Sequence, residues 1–218
     1  MERKIVFSED EFYHVYNRGV EKRLIFRSDK DKQRFLKLLY VCNRDKKVDF
    51  KEVANLQYSE IEKCDPIVAI GAYCLMGNHF HLLLKEIKKG GISSFMSKLS
   101  TAYVMYFNKK YNRTGPLFQG RFKAEHCVRD EHLKYLYAYI HLNPVKIICP
   151  NWKTEGIDDF KVTRKHLDSY MFSSYHDYLG VKREESLILD PYSFPDYFSE
   201  GSFENFINFW INYSLFEK

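Results

Sequence analysis

The sequence predicts an α+β fold in which helices pack against a mainly antiparallel sheet. Three observations predict it. A continuous apolar run from Ile67 to Met76 is followed by Gly77-Asn78 and a second apolar arm from His79 to Glu86, a strand-turn-strand pattern. Apolar residues recur at helical spacing before it, at Phe35, Leu38, Leu39 and Cys42, and after it, at Ile92, Phe95, Met96, Leu99, Tyr103 and Tyr106. Strands and helices therefore interleave, as a sheet covered by helices requires.

In chain order, Phe12 to Asn17 is aromatic and β-branched and reads as a first strand, interrupted by Arg18-Gly19. Ser28, ahead of Asp29-Lys30-Asp31, caps the first amphipathic helix. Residues 43–66 are polar and mixed and end at Pro66. Gly90-Gly91 precedes the second long helix, which runs to about Asn108. Asn112 to Gly120 holds two glycines and a proline and reads as a loop. Arg121 to Val128 reads as a short strand, and Asp130 as the N-cap of a helix from Glu131 through Leu133, Leu136 and Ile140. Pro144 limits that helix, because the residue before a proline is pushed away from helical backbone angles. From 186 onward, Tyr192, Phe194, Tyr197, Phe198, Phe203, Phe206, Phe209 and Trp210 predict one or two helices packed on the main body.

A chain of 218 residues with 45% hydrophobic and 17% aromatic residues suits one domain with a small appendage and excludes disorder. No stretch approaches the ~20 apolar residues of a membrane span, and Met1 to Ile5 begins no signal-peptide apolar region. Cys42, Cys64, Cys74, Cys127 and Cys149 form no CxxC pair, which fits reduced thiols and a cytoplasmic setting. The net charge of +5 is unevenly spread: residues 181–218 carry −4 and the first 180 carry +9. Within 91–129, Lys98, Lys109, Lys110, Arg113, Arg121, Lys123 and Arg129 stand against Glu125 alone. Such a stretch suits a polyanion partner or a solvated basic face.

Two patterns carry chemistry. His79 and His81 flank Phe80, so on a strand both imidazoles leave one face while Phe80 enters the core. Paired neutral imidazoles suit a divalent metal, and equally suit ordinary hydrogen bonds or solvent. Tyr139 and Asn143 are four residues apart and share a helix face. A tyrosine beside a metal-bound phosphate can act as a nucleophile, although its ordinary pKa is ~10. An amide oxygen suits magnesium or manganese as a further ligand. Among 17 tyrosines, composition does not select Tyr139.

The selection comes from resemblance. Tyr-His-Val-Tyr-Asn-Arg-Gly (13–19), Gly-Asn-His-Phe-His-Leu-Leu-Leu (77–84), Thr-Gly-Pro-Leu-Phe-Gln-Gly-Arg-Phe-Lys (114–123), Tyr-Ile-His-Leu-Asn-Pro-Val-Lys (139–146) and Ser-Ser-Tyr (173–175) stand in one order along the chain. In these stretches the chain resembles the REP-associated tyrosine transposases, within the single-tyrosine transposases of the HUH nuclease class. The resemblance implies a ferredoxin-like or RRM-like antiparallel sheet with flanking helices. It implies His79 and His81 as metal ligands, Tyr139 as nucleophile, and Asn143 where related transposases place a glutamine ligand. His126 and His141 are spare ligand candidates, although His141, two residues from Tyr139, faces away from it on a helix and suits packing or hydrogen bonding. It implies a magnesium or manganese cofactor and metal-dependent cleavage and rejoining of single-stranded or hairpin DNA through a 5′-phosphotyrosine, on hairpin-forming repeats beside a tetranucleotide tag. DNA contacts are then expected from Arg18, Lys109, Lys110, Arg113, Arg121 and Lys123, of which Arg121 and Lys123 would share a strand face. Lys109, Lys110 and Arg113 also suit a helix C-terminus as cations alone.

The expected organisation is a transposase domain over 1–180 and an aromatic, acidic extension over 181–218 packed on it. The protein is expected in the cytoplasm, associated with a prokaryotic nucleoid, as a monomer or homodimer. Two rival readings remain: a hairpin-binding regulator with reduced catalysis, and a small-molecule metallohydrolase using the histidine pair.

Overall fold

The alternating aromatic and β-branched residues of Phe12–Arg18 form strand β1, which lies inside a four-stranded sheet of order β2-β3-β1-β4. The computed structural model describes residues 5–46, 49–157, 159–198 and 202–213. The start of the predicted leaderless N-terminus (1–4), and Glu200, Glu217 and Lys218 of the C-terminal charge balance, lie outside them.

After β1 come α1 (Asp29–Cys42) and a short α2 (Phe50–Val53) within the polar stretch, then β2 (Val68–Leu75) and β3 (His79–Glu86). Helix α3 (Gly91–Lys110), strand β4 (Lys123–His126) and helix α4 (Asp130–His141) follow. Short helices α5 (Val145–Ile148) and α6 (Trp152–Glu155) lead to α7 (Phe160–Ser169), α8 (Tyr175–Tyr178) and α9 (Phe203–Tyr213). Every strand neighbour is antiparallel. The order β1-α1-β2-β3-α3-β4 with this pairing is the expected ferredoxin-like arrangement.

The two-residue side-chain period of a strand divides the core. Val15, Phe80 and Leu82 join Phe35 and Leu39 of α1 and Phe95 and Leu99 of α3 on one side of the sheet. Ala69, Ala72, Cys74 and Leu83 meet Leu133, Leu136 and Ile140 of α4 on the other. With both faces covered, β2 is buried along its whole length, which is why its sequence shows no polar alternation.

Ser28 caps α1 as predicted, in a reciprocal arrangement with Asp31. Asp130 does not cap α4. Arg129 holds the cap position, and Asp130 lies in the first turn, where its carboxylate accepts from the Tyr197 hydroxyl. Strand β4 is shorter than predicted, because β1 offers it only Tyr13 to Tyr16. Gly120, at φ 76°, turns the chain just before it. Pairing begins at Lys123, so Arg121 and Lys123 do not share a strand face. Pro144 ends the run of α4 and opens α5.

Past residue 180, short 3-10 turns precede α9. Ile188 and Phe194 enter the two cores beside the sheet, and Phe203, Ile207 and Ile211 form a third with Leu142, Val145 and Tyr175. The Phe194 ring rests on Gly71, where a Cβ would stand 2.8 Å from it.

Candidate active site

Strand β3 carries the histidine pair at its start, directly after the Gly77-Asn78 turn. The imidazole centroids of His79 and His81 are 5.0 Å apart. Phe80 between them leaves by the opposite face and packs 4.9 Å from Phe35. The ladder sets Arg18 beside His79, and Tyr16 and Cys74 on either side of His81.

Hydrogen bonds decide which ring nitrogens are basic. His79 Nδ1 lies 2.6 Å from Asn78 Oδ1, an atom that only accepts, so Nδ1 carries the proton and Nε2 the lone pair. Asn78 is itself anchored, its amide donating to Lys22 O at 3.2 Å. His81 Nδ1 faces His14 Nε2 at 2.9 Å. Burial, with the charges of Lys146 and Arg18, holds His79 down at about 4, and burial holds His14 at about 4 against the opposing pull of Glu125. These imidazoles are therefore neutral near pH 7, the form that ligates metals.

Helix α4 lies across β2 and β3 and brings Tyr139 to the pair. Its ring centroid is 5.4 Å from that of His81 and 5.6 Å from that of His14. The nucleophile candidate thus meets His81, one member of the histidine pair, within one chain. Burial, with smaller contributions from Tyr135 and Glu125, raises the phenol above its usual range, and Asn143 opposes the rise. Tyr137, two residues earlier, is fully buried and cannot serve. Tyr135 lies between Tyr139 and Trp210 of α9, tilted to the first at 6.0 Å and edge-on to the second at 5.3 Å between centroids.

Asn143 donates its amide N–H to Tyr139 O at 2.8 Å, while its buried Oδ1 has no hydrogen-bond partner. An orphaned buried oxygen costs stability and calls for an explanation. By their chemistry, two imidazole nitrogens and an amide oxygen are a donor set that suits a divalent cation. Among the described residues no cluster of three His, Cys, Asp or Glu side chains offers an alternative. The spare histidines are otherwise engaged. His126 binds Glu11 at 2.8 Å and stacks on Tyr13, and His141 is fully buried between Tyr137 O and Ser174 Oγ.

The expected DNA contacts fall in three places. Arg18 and Lys123 lie by the site: the Arg18 guanidinium bonds Gln119, and Lys123 pairs with Tyr16 on the histidine face. Arg121 lines a cleft of about 390 Å³ with Asn17, Ser97 and Phe118 on the α3 side. Lys109 and Lys110 end α3 and Arg113 follows it, across the sheet from α4. The ammonium of Lys110 is 2.5 Å from Asp31, and Arg113 bonds Asn108 at 3.1 Å.

Four site residues escaped sequence reasoning: His14, Tyr16, Glu125 and Lys146. The Tyr-His-Val-Tyr alternation of β1 was the available signal, since it puts His14 and Tyr16 on one face. The Tyr16 hydroxyl donates to Glu125 Oε1 at 2.8 Å, and burial and Glu125 push its pKa up to about 12.

The chain shares its fold with a solved REP-associated tyrosine transposase bound to a REP hairpin: TM-score 0.52 and 13% identity, over 85% of this chain and 90% of that one. A tRNA(His) guanylyltransferase from Saccharomyces cerevisiae aligns over 92% of this chain and 88% of its own at 13% identity, with a TM-score of only 0.35. No curated protein matches in sequence. No helix among the described residues is long and apolar enough to cross a membrane. Residues 9–143, which hold every strand among the described residues, the histidine pair and Tyr139, match the model of the IS200-like transposases, and the chain belongs to that family.

Proposed function

We propose that this transposase cleaves and rejoins single-stranded DNA with Tyr139 as nucleophile, beside a magnesium or manganese ion held by His79, His81 and Asn143. The meeting of the Tyr139 and His81 rings at 5.4 Å carries the reading. The hairpin in the related solved structure supports hairpin-forming DNA as the substrate.

When bound, the cation neutralises charge on the scissile phosphate and orients it for in-line attack. The protein's own groups do the rest. The bond from the Tyr139 oxygen to phosphorus forms as the bond from phosphorus to the 3′ oxygen breaks. The phenolic proton is balanced by the one the released 3′ hydroxyl takes up. The strand is retained as a 5′-phosphotyrosine, so a free 3′ hydroxyl can reverse the step without a nucleotide energy source. Lys146, whose ammonium lies near Tyr139, adds positive charge where the phenolate and phosphate develop negative charge. Arg18 and Lys123 hold the backbone near the site, and Lys109, Arg113 and Arg121 extend the basic surface. Lys110 commits its charge to Asp31.

The same reading divides the chain into a catalytic unit over 1–180 and an extension over 181–218, supported by the burial of Ile188, Phe194, Phe203, Ile207 and Ile211. It places the protein in the cytoplasm with the nucleoid, as monomer or homodimer.

The test is Tyr139→Phe, assayed on a labelled hairpin-bearing single strand with manganese. The wild-type protein is expected to give a covalent protein–DNA adduct and a free 3′ end, and the variant neither. Undiminished cleavage by the variant, or a persistent adduct, rejects Tyr139 as nucleophile.

A further inference from the structure

We infer, on the metal-site reading above, that His14 and Glu125 are positioning residues that fix the tautomer and aim of the His81 imidazole. His14 Nε2 lies 2.9 Å from His81 Nδ1, with the two rings nearly parallel at 19°. His14 is only 4% exposed, so water does not compete for this contact. One proton lies between the two nitrogens, and the surroundings of His14 decide which owns it. Glu125 Oε2 is 3.9 Å from His14 Nδ1, and the two residues are cross-strand partners in the β1–β4 ladder. A carboxylate there favours the proton on Nδ1. The Tyr16 hydroxyl, donating to the other oxygen at 2.8 Å, holds that carboxylate in place.

With Nδ1 protonated, His14 Nε2 can only accept, and His81 must donate from its own Nδ1. The lone pair of His81 then sits on Nε2. Asn78 imposes the same tautomer on His79 by direct hydrogen bonding. The two rings therefore present the same nitrogen, one set by an amide and the other by a carboxylate–imidazole relay. Ligating histidines depend on such outer partners for orientation and basicity. The bland alternative is a packed core histidine with no bearing on the metal.

Metal affinity separates the two. Manganese(II) is titrated into metal-free protein without DNA, and free ion is read by electron paramagnetic resonance, with circular dichroism recording the fold. His14→Ala is expected to weaken binding about 10- to 100-fold. His14→Gln, whose amide oxygen can accept from His81, is expected to recover most of that loss. Glu125→Gln, at a half-exposed position, is expected to weaken binding by a smaller factor. Folded His14→Ala at wild-type affinity overturns the inference and leaves the metal site standing. If His14→Ala does not fold, wild-type affinity in Glu125→Gln overturns it instead. If His81→Ala binds manganese as the wild type does, the metal-site reading itself fails.

Discussion

The ammonium of Lys146 lies 5.4 Å from the centre of the Tyr139 ring, one turn past the end of the helix that carries the phenol. Its charge also depresses the pKa of His79, after burial, so one cation bears on both Tyr139 and His79. Lys146→Ala is expected to slow strand cleavage about 100-fold, the scale for one charge-stabilising group. Lys146→Arg should keep most of the rate. Manganese affinity should not fall in either variant, because removing a nearby positive charge does not disfavour a cation. A rate that follows metal affinity downward would contradict this role.

Asp31 shows how a lysine in a basic stretch can be structural. Its carboxylate is fully buried and accepts from Lys110, Tyr106, Tyr111 and the backbone N–H groups of Arg27 and Ser28. Asp31→Ala leaves these donors facing a cavity and should cost about 3 kcal/mol in urea unfolding. Lys110→Met should lower stability while leaving the salt dependence of hairpin binding unchanged. A shallower salt slope for Lys110→Met would instead make it a phosphate contact.

Acid should destabilise the fold in two windows. Burial holds His14, His79 and His141 at about 4 in the folded chain, against ~6.5 when unfolded. Between those values the unfolded chain binds protons that the folded one refuses, so stability falls as pH drops from about 6.5 toward 4. Asp31 acts lower. Burial alone would raise it, but its donors, Lys110 and Tyr111 foremost, outweigh burial and hold it at about 2. Its contribution is complete above pH ~4 and is lost below. Urea midpoints measured from pH 8 to 3 should be flat at first and then decline. An unchanged midpoint between pH 7 and 5 would contradict the histidine assignment.

Gly71 and Phe194 form a matched pair across the chain. Gly71→Ala would set a methyl group 2.8 Å from ring carbons of Phe194 and should cost about 1–3 kcal/mol. In a Phe194→Ala background the same change should cost far less. Strict additivity in this double-mutant cycle would show that the ring does not rest there.

The parts legible in the sequence are those set by local period. Strands β1 to β3 and helices α1 and α3 follow from spacing, and the histidine pair follows from two residues sharing a strand face. The end of β4 did not, because its partner strand sets its length. His14 and Glu125 were invisible for a related reason. They meet through antiparallel register between strands distant in sequence, and no local pattern encodes register. Tyr139 was selected by resemblance, since nothing in its own segment separates it from Tyr135 or Tyr137. The aromatic tail announced that it would pack, but only the missing side chain of Gly71 shows where Phe194 lands.

Phe80 sits between His79 and His81 and anchors on Phe35 beneath the sheet. Because cores are close-packed, a change in the volume of that hydrophobic layer is expected to shift the strand between the two imidazoles. At the proposed metal site, ion preference should then respond to residues beneath the sheet that carry no ligand atom. A search for variants with altered magnesium-to-manganese discrimination belongs at Phe35 and Phe118 as much as among the ligands.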